Sequence, residues 1–283
     1  MSKIAIVFSG QGSQGVGMGK DLYENSSAAR AVFDMAERFK PNIKELCFEG
    51  PKEELNKTIN TQPALFCVGL ASFRAKCEQE GLKADMMAGF SLGEIPALAA
   101  SGMLSDEAAF KLVMKRAEFM ESCDKSGMMA AVIGMEAHKI EEILLDFPDV
   151  KCVNYNAPLQ TVISGRDNFD EAITALKAAG ARTMKLAVAG AFHSHYMTPA
   201  SNNMADYLKN IDFNFPKIPL YSNLTANPYD ILEAKQNIYR QINSPVKWVE
   251  SIKNMQKAGA TTFIECGAGN VLTGLIDKIL GVN

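Results

Sequence analysis

The feature that most restricts how this chain can fold lies at residues 84–101. Ala84–Phe90 is a short apolar run, consistent with a buried strand. Leu92–Ser101 reads as a helix that stops near Gly102. The joint between them is Gly89-Phe90-Ser91-Leu92-Gly93. A strand that turns at once into a helix leaves no room for bulk beside its central residue, so a glycine near each side of Ser91 suits a tight turn. Such a turn lifts the Ser91 hydroxyl out of the sheet. It also aims the first amide N–H groups of the helix at one point, ready for a developing oxyanion. That is the setting of a nucleophile elbow. The bare pattern is weak, and the same residues also suit a helix start capped by a serine. The flanking strand and helix favour the nucleophile.

The rest of the chain alternates in the same way. Lys3–Phe8 reads as a strand that enters the glycine-rich turn Ser9–Gly15. Helical segments follow to about residue 80, one of them opened by Thr61-Gln62-Pro63 with Pro63 in its first turn. Ser105-Asp106-Glu107 marks another helix start, with a capping hydroxyl and then acids, and that helix runs to about Cys123. From about residue 126 the order is strand Met128–Gly134, helix Ala137–Asp146, strands Lys151–Asn156 and Thr161–Ser164, helix Asn168–Ala179 and strand Arg182–Val188. This β-α-β-β-α-β order matches a ferredoxin-like unit. We read it as a subdomain over 126–193, inserted into a larger unit formed by 1–125 and 194–283. The larger unit continues with a helix near 199–211, a strand at 218–222, a helix near 246–258, a strand at 261–265 and a last helix at 271–280. Alternating strands and helices predict an α/β fold with a mainly parallel sheet covered on both faces.

Bulk properties narrow the function. The chain has 283 residues, is 47% hydrophobic and carries a net charge of −3, which gives no general attraction to nucleic acid or anionic membrane. No apolar stretch reaches membrane-spanning length, and the N-terminal apolar run is too short and wrongly flanked for a signal peptide. The six cysteines, Cys47, Cys67, Cys77, Cys123, Cys152 and Cys266, are scattered without metal-ligand spacing. They read as free thiols in a reducing cytosol, so a cytoplasmic protein is expected.

A serine nucleophile needs a base. There are three histidines, His138, His193 and His195. His193 and His195 lie in Gly190-Ala191-Phe192-His193-Ser194-His195, just after the last strand of the small unit, and spacing does not choose between them. His138 begins a helix beside Lys139 and Glu141 and reads as a solvated surface residue. Arg116 shares the helical stripe of Ala109, Leu112, Val113 and Met120. A guanidinium on an apolar stripe needs a partner, either an internal acid or a ligand anion. Its fork suits a carboxylate. Gly10, Gly12 and Gly15 echo a dinucleotide fingerprint after a strand, but no acid follows a second strand at the required distance.

These residues resemble the malonyl-CoA:acyl carrier protein transacylases, the acyltransferases of bacterial fatty-acid synthesis. The resemblance runs from Phe8-Ser9-Gly10-Gln11-Gly12-Ser13-Gln14 through Gly89-Phe90-Ser91-Leu92-Gly93-Glu94, Arg116, Asn156-Ala157-Pro158 and Gly190–Ser194. It continues through Ser222-Asn223 and 241–248 to Gly267–Leu272. It implies an α/β-hydrolase-like core with a ferredoxin-like insert. It implies a ping-pong transfer of malonyl from malonyl-CoA to the phosphopantetheine thiol of acyl carrier protein through Ser91. His193 would be the base, with its second ring nitrogen held by the Gln241 backbone carbonyl. The amides of Gln11 and Leu92 would form the oxyanion hole, and Arg116 would hold the malonyl carboxylate. Asn223 would stand one layer behind them, and Phe90 and Phe192 would line the pocket. No cofactor or metal is implied, and a monomer is expected. Four positions depart from the usual pattern: Phe90 replaces His, Leu159 replaces Gly, and Ala268 and Asn270 replace Pro and Lys. A discrete acyltransferase of a polyketide synthase, a serine thioesterase or hydrolase, and a silent carrier-binding module are the competing expectations.

Overall fold

A computed structural model describes residues 2–188 and 190–282. Its described strands are β1 (Lys3–Phe8), β2 (Met86–Gly89), β3 (Met128–Ile133), β4 (Lys151–Ala157), β5 (Gln160–Gly165), β6 (Arg182–Lys185), β7 (Leu220–Tyr221) and β8 (Ala260–Cys266). They form two sheets in a mixed α/β structure. One has the order β7-β2-β1-β8 with every neighbouring pair parallel. The other has the order β4-β5-β3-β6 with every pair antiparallel.

The parallel sheet explains the unbroken apolar run of β1. Alternate side chains of a strand point to opposite faces. Ala5 and Val7 join Trp248, Ile252 and Ile276 on one side. Ile6 and Phe8 join Phe33, Phe66 and Leu70 on the other. With helices on both faces, neither side of the strand is wet.

One helix expectation is corrected. The helix assigned a start at Thr61 begins a turn earlier and spans Thr58–Glu80, so Pro63 lies inside it rather than in its first turn. Proline removes one helical donor. The helix continues because residues 61–73 are all buried, and packing on every side outweighs one lost bond. The other start signal is found as read. Ser105 caps Asp106–Glu121, its hydroxyl accepting from Ala108 N at 3.1 Å, and Leu112, Val113, Arg116 and Met120 are buried along that helix.

The antiparallel sheet keeps the β-α-β-β-α-β order. The helices Ala137–Ile143 and Phe169–Ala178 enclose a separate core with Val132, Ile140, Ile163 and Phe169. Four strands are shorter than the sequence indicates: β2 covers only Met86–Gly89 of 84–90, and β3 stops at Ile133 rather than Gly134. β6 stops at Lys185 rather than Val188, and β7 is only Leu220–Tyr221. Leu159, in the two-residue turn between β4 and β5, does not adopt a positive φ, so the turn accepts a side chain there. No described helix is long and apolar enough to cross a membrane.

Candidate active site

The Ser91 turn is built by close backbone contact. β2 ends at Gly89, Ser91–Gly93 forms a single 3₁₀ turn, and the helix Glu94–Ala100 follows. A Cβ on Gly89 would lie 2.0 Å from the Gly93 carbonyl carbon, and one on Gly93 would lie 2.1 Å from the Phe8 oxygen. Neither position accepts any side chain. Ser91 itself has φ +51°, a left-handed conformation that costs a non-glycine residue about 1–2 kcal/mol. Asn223, fully buried after β7, offsets that strain. Its Oδ1 accepts from Ser91 N at 2.7 Å, and its Nδ2 donates to the Gly89 carbonyl at 2.6 Å.

His193 enters from the loop after β6, also with a positive φ of 61°. Its Nε2 lies 2.7 Å from Ser91 Oγ, and its Nδ1 lies 2.9 Å from the Gln241 carbonyl oxygen. A carbonyl only accepts, so Nδ1 carries the proton and Nε2 presents a lone pair to the serine. Burial first and the Arg116 charge second push the imidazole down to about 4, with backbone carbonyls opposing. It is therefore neutral at physiological pH. The other histidines are elsewhere. His195 is exposed and lies 3.5 Å from Asp149, and His138 is exposed beside Glu136. Geometry thus separates His193 from His195, which spacing left open.

Arg116 is 1% exposed and reaches the same serine, with Nη2 3.2 Å from Ser91 Oγ. Of the two partners expected for it, an internal acid is not in contact. Its hydrogen bonds among the described residues go to neutral oxygens: Nη1 to Gln62 Oε1 and Nη2 to Gln241 Oε1, both at 2.9 Å. Its Nε is buried and unpaired. Burial lowers its pKa to about 10, with Glu94 opposing, so the cation persists.

Gln62, Glu94 and the side chain of Gln241 were not identified from sequence. Glu94 heads a helix whose residues 94–100 are all buried, and a lone acid on such a segment was the available signal. The carboxylate accepts from the Tyr229 hydroxyl, from Gln241 Nε2 at 2.9 Å and from Asn223 N at 3.1 Å. Burial raises its pKa to about 7 against these donors and Arg116. Gln241 Nε2 also donates to Ser91 O at 2.8 Å.

Ser91, His193 and Arg116 line a cavity of about 240 Å³ between the two sheets, together with Gln11, Phe90, Asn156 and Phe192. Phe8 pairs with Gly89, so the loops after β1 and β2 start side by side and bring Gln11 near the turn. Leu92, the residue after Ser91, is buried. Phe90 packs its edge against Trp248, with ring centroids 5.4 Å apart. No group of three or more His, Cys, Asp or Glu able to hold a metal is present among the described residues.

Residues 5–280 match the acyl transferase domain family. The chain is 41% identical over 289 residues to the malonyl CoA-acyl carrier protein transacylase of Bacillus subtilis (strain 168), covering 99% of this chain and 91% of the relative. It is 42% identical over 282 residues to a polyketide biosynthesis malonyl CoA-acyl carrier protein transacylase of the same organism, covering 98% and 96%. The solved malonyl CoA-acyl carrier protein transacylase of Coxiella burnetii superposes with a TM-score of 0.96 at 34% identity, covering 100% of this chain and 92% of that one.

Proposed function

Because the chain belongs to the acyl transferase family of the malonyl CoA-acyl carrier protein transacylases, we propose that it carries malonyl on Ser91 from malonyl-CoA to the phosphopantetheine thiol of an acyl carrier protein. The observation that carries this reading is the convergence on one oxygen. Ser91 Oγ lies 2.7 Å from a neutral imidazole nitrogen and 3.2 Å from a buried guanidinium.

In the first half-reaction the Ser91 proton passes to His193 Nε2 while Oγ bonds to the thioester carbon. The carbonyl oxygen takes the negative charge and is met by the amides of Gln11 and Leu92, each such donor worth about 10²–10³ in rate. The C–S bond then breaks, and His193 returns the proton to the departing coenzyme A sulfur. The carrier thiol repeats these steps in reverse. Nδ1 stays bonded to the Gln241 carbonyl throughout, so a neutral dipole replaces the acid of a charged triad. Arg116 pairs with the free malonyl carboxylate. Asn223 holds the elbow from behind, and Phe90 and Phe192 wall the acyl pocket. The chemistry calls for no cofactor.

The same reading covers the finer architecture. The parallel part, 1–125 and 194–283, is an α/β-hydrolase-like core. The insert 126–193 is a ferredoxin-like subdomain, supported by its strand order β4-β5-β3-β6. We place the enzyme in the cytoplasm as a monomer, with malonyl-CoA and acyl carrier protein as its partners. Fatty-acid synthesis is the favoured pathway. A polyketide carrier is the second reading, favoured by the 42% identity to a polyketide relative.

Intact mass spectrometry after brief exposure to malonyl-CoA tests the reading. Wild type should gain one malonyl group and Ser91→Ala none, and holo acyl carrier protein should discharge the adduct. A stable adduct on a cysteine, or discharge only to water, would refute it.

A further inference from the structure

The proposed transfer uses Ser91, His193 and Arg116, and leaves one buried acid without a task. Glu94 is 1% exposed. Among the described residues, every group that touches its carboxylate donates to it: the Tyr229 hydroxyl, Asn223 N and Gln241 Nε2. Arg116 reaches it only through the Gln241 amide. Burying a carboxylate without a contacting cation is costly, so the position has to be accounted for.

The hydrogen-bond polarity supplies the account. Arg116 has only donors, so it requires Gln241 Oε1. The Ser91 carbonyl and an ionised Glu94 only accept, so they require Gln241 Nε2. A carboxylate at residue 94 therefore dictates which way the amide points. A flipped amide would press its NH₂ group against the guanidinium and its oxygen against the carboxylate. The same carboxylate fixes the Asn223 backbone, whose side chain holds Ser91 N, while Gln241 holds Ser91 O. Both backbone ends of the left-handed Ser91 are thus referred to one acid.

We propose that Glu94 is a positioning residue of the acyl site: it locks the Gln241 amide so that Arg116 stays aimed at Ser91, and it steadies the Ser91 turn through Asn223 and Gln241. This rests on the malonyl-transfer reading, with the substrate carboxylate as the anion that Arg116 meets.

The test compares kcat and KM for malonyl-CoA and acetyl-CoA in folded wild type, Glu94→Gln, Gln241→Met and Tyr229→Phe. Glu94→Gln removes the charge and lets the amide turn. Both substrates should slow, and malonyl-CoA should lose about tenfold more in kcat/KM than acetyl-CoA, mainly as a raised KM, because a hydrogen bond to a charged group is affected. Gln241→Met should lower the ratio similarly with Glu94 intact. Tyr229→Phe removes the strongest donor that holds Glu94 ionised, so its ratio should fall in the same direction at neutral pH and recover toward wild type as pH rises and the acid ionises. A merely structural acid would slow both substrates equally. An unchanged ratio in Glu94→Gln overturns the proposal, as does a lowered ratio in Tyr229→Phe that does not recover as pH rises. If Glu94→Gln does not fold, an unchanged ratio in Gln241→Met overturns it. Wild type that takes no malonyl on Ser91 overturns both readings, whereas normal acylation with an insensitive ratio overturns this one alone.

Discussion

Ser91 and His193 meet at 2.7 Å, yet the two regions that bring them there are held in different ways. The Ser91 turn is fixed by backbone against backbone. Gly93 touches the neighbouring strand, Gly89 touches the backbone of Gly93 and Glu94, and the side chains of Asn223 and Gln241 add ties to Ser91 N and Ser91 O. The His193 loop makes one close backbone approach, Ala191 against Gly127, and is otherwise held by side chains. Ser194 Oγ donates to Ala191 O, and the imidazole hangs on one carbonyl of a distant helix, Ala234–Gln241. Both residues adopt a positive φ, so both regions store strain. Close-packed backbone has no graded way to yield, whereas a loop steered by side chains does. Damage to the first region should be all-or-none, and damage to the second should be partial.

Gly93→Ala is the most severe test of that contrast. The new Cβ would sit 2.1 Å from Phe8 O, which also accepts from Phe90 N. The turn must open or the sheet must part, at a cost of about 1–3 kcal/mol or more. Malonyl labelling should vanish and the thermal midpoint should fall. A variant that labels normally would remove the steric account of the elbow. His193→Ala should leave the fold intact and cut the rate by about 10²–10⁴. His195→Ala, at an exposed ring, should stay within about threefold of wild type. Steady-state assays of both variants decide the assignment, and the reverse ranking would overturn it.

Arg116→Ala gives a smaller change with a second signature. Acetyl lacks the carboxylate, so the ratio of kcat/KM for malonyl-CoA over acetyl-CoA should fall by about 10–100-fold, the value of a charge-assisted hydrogen bond. The second signature is in pH. His193 is a base only while neutral, and its pKa of about 4 lies below its ordinary value of 6.5 partly because Arg116 repels the protonated ring. Wild-type kcat/KM should therefore fall in two steps as pH falls, a first through about 7, where Glu94 gains its proton and the Gln241 amide is freed, and a second through about 4, where His193 does. Removing the cation raises the His193 pKa, so the second step of Arg116→Ala should move to higher pH. A second step that stays in place would mean that Arg116 does not act on the base.

What the sequence revealed follows the same division. The elbow was legible because strand, glycines and helix are contiguous, and local sterics dictate the turn. Arg116 was legible because helical spacing put a charge on an apolar stripe. The chain order of strands and helices around the antiparallel sheet was legible because two strand–helix pairs and a short turn follow one another there. Pro63 misled because a first-turn proline is the local preference, and only the full burial of residues 61–73 explains the earlier start. The Gln241 side chain and Glu94 were not legible, because their bond joins residues 147 apart in sequence. No local pattern marks a glutamine whose amide serves a guanidinium on one side and a carboxylate on the other.

Phe90→His is the mildest perturbation and sharpens the comparison most. Residue 90 precedes Ser91, but its ring belongs to the packing around Trp248 rather than to the turn. Its backbone N donates to Phe8 O, while its ring leaves the turn and meets Trp248 edge-on at 5.4 Å. The backbone bond survives any substitution other than proline, so the elbow should form and Ser91 should acylate within about threefold of wild type. The ring contact is what changes. An aromatic pair contributes about 0.5–1.5 kcal/mol beyond its burial, so a modest fall in thermal midpoint is expected. Imidazole also places nitrogen atoms on a wall that Phe90 keeps apolar, which favours water in the cavity beside the acyl-enzyme. The malonyl adduct should therefore decay faster without carrier protein, while transfer to the carrier thiol is nearly unchanged. Timed intact-mass spectra of the labelled variant measure this directly. An adduct that outlasts the wild-type adduct would show that the phenyl ring does not keep water out, and loss of labelling in a folded variant would tie the ring to the elbow itself.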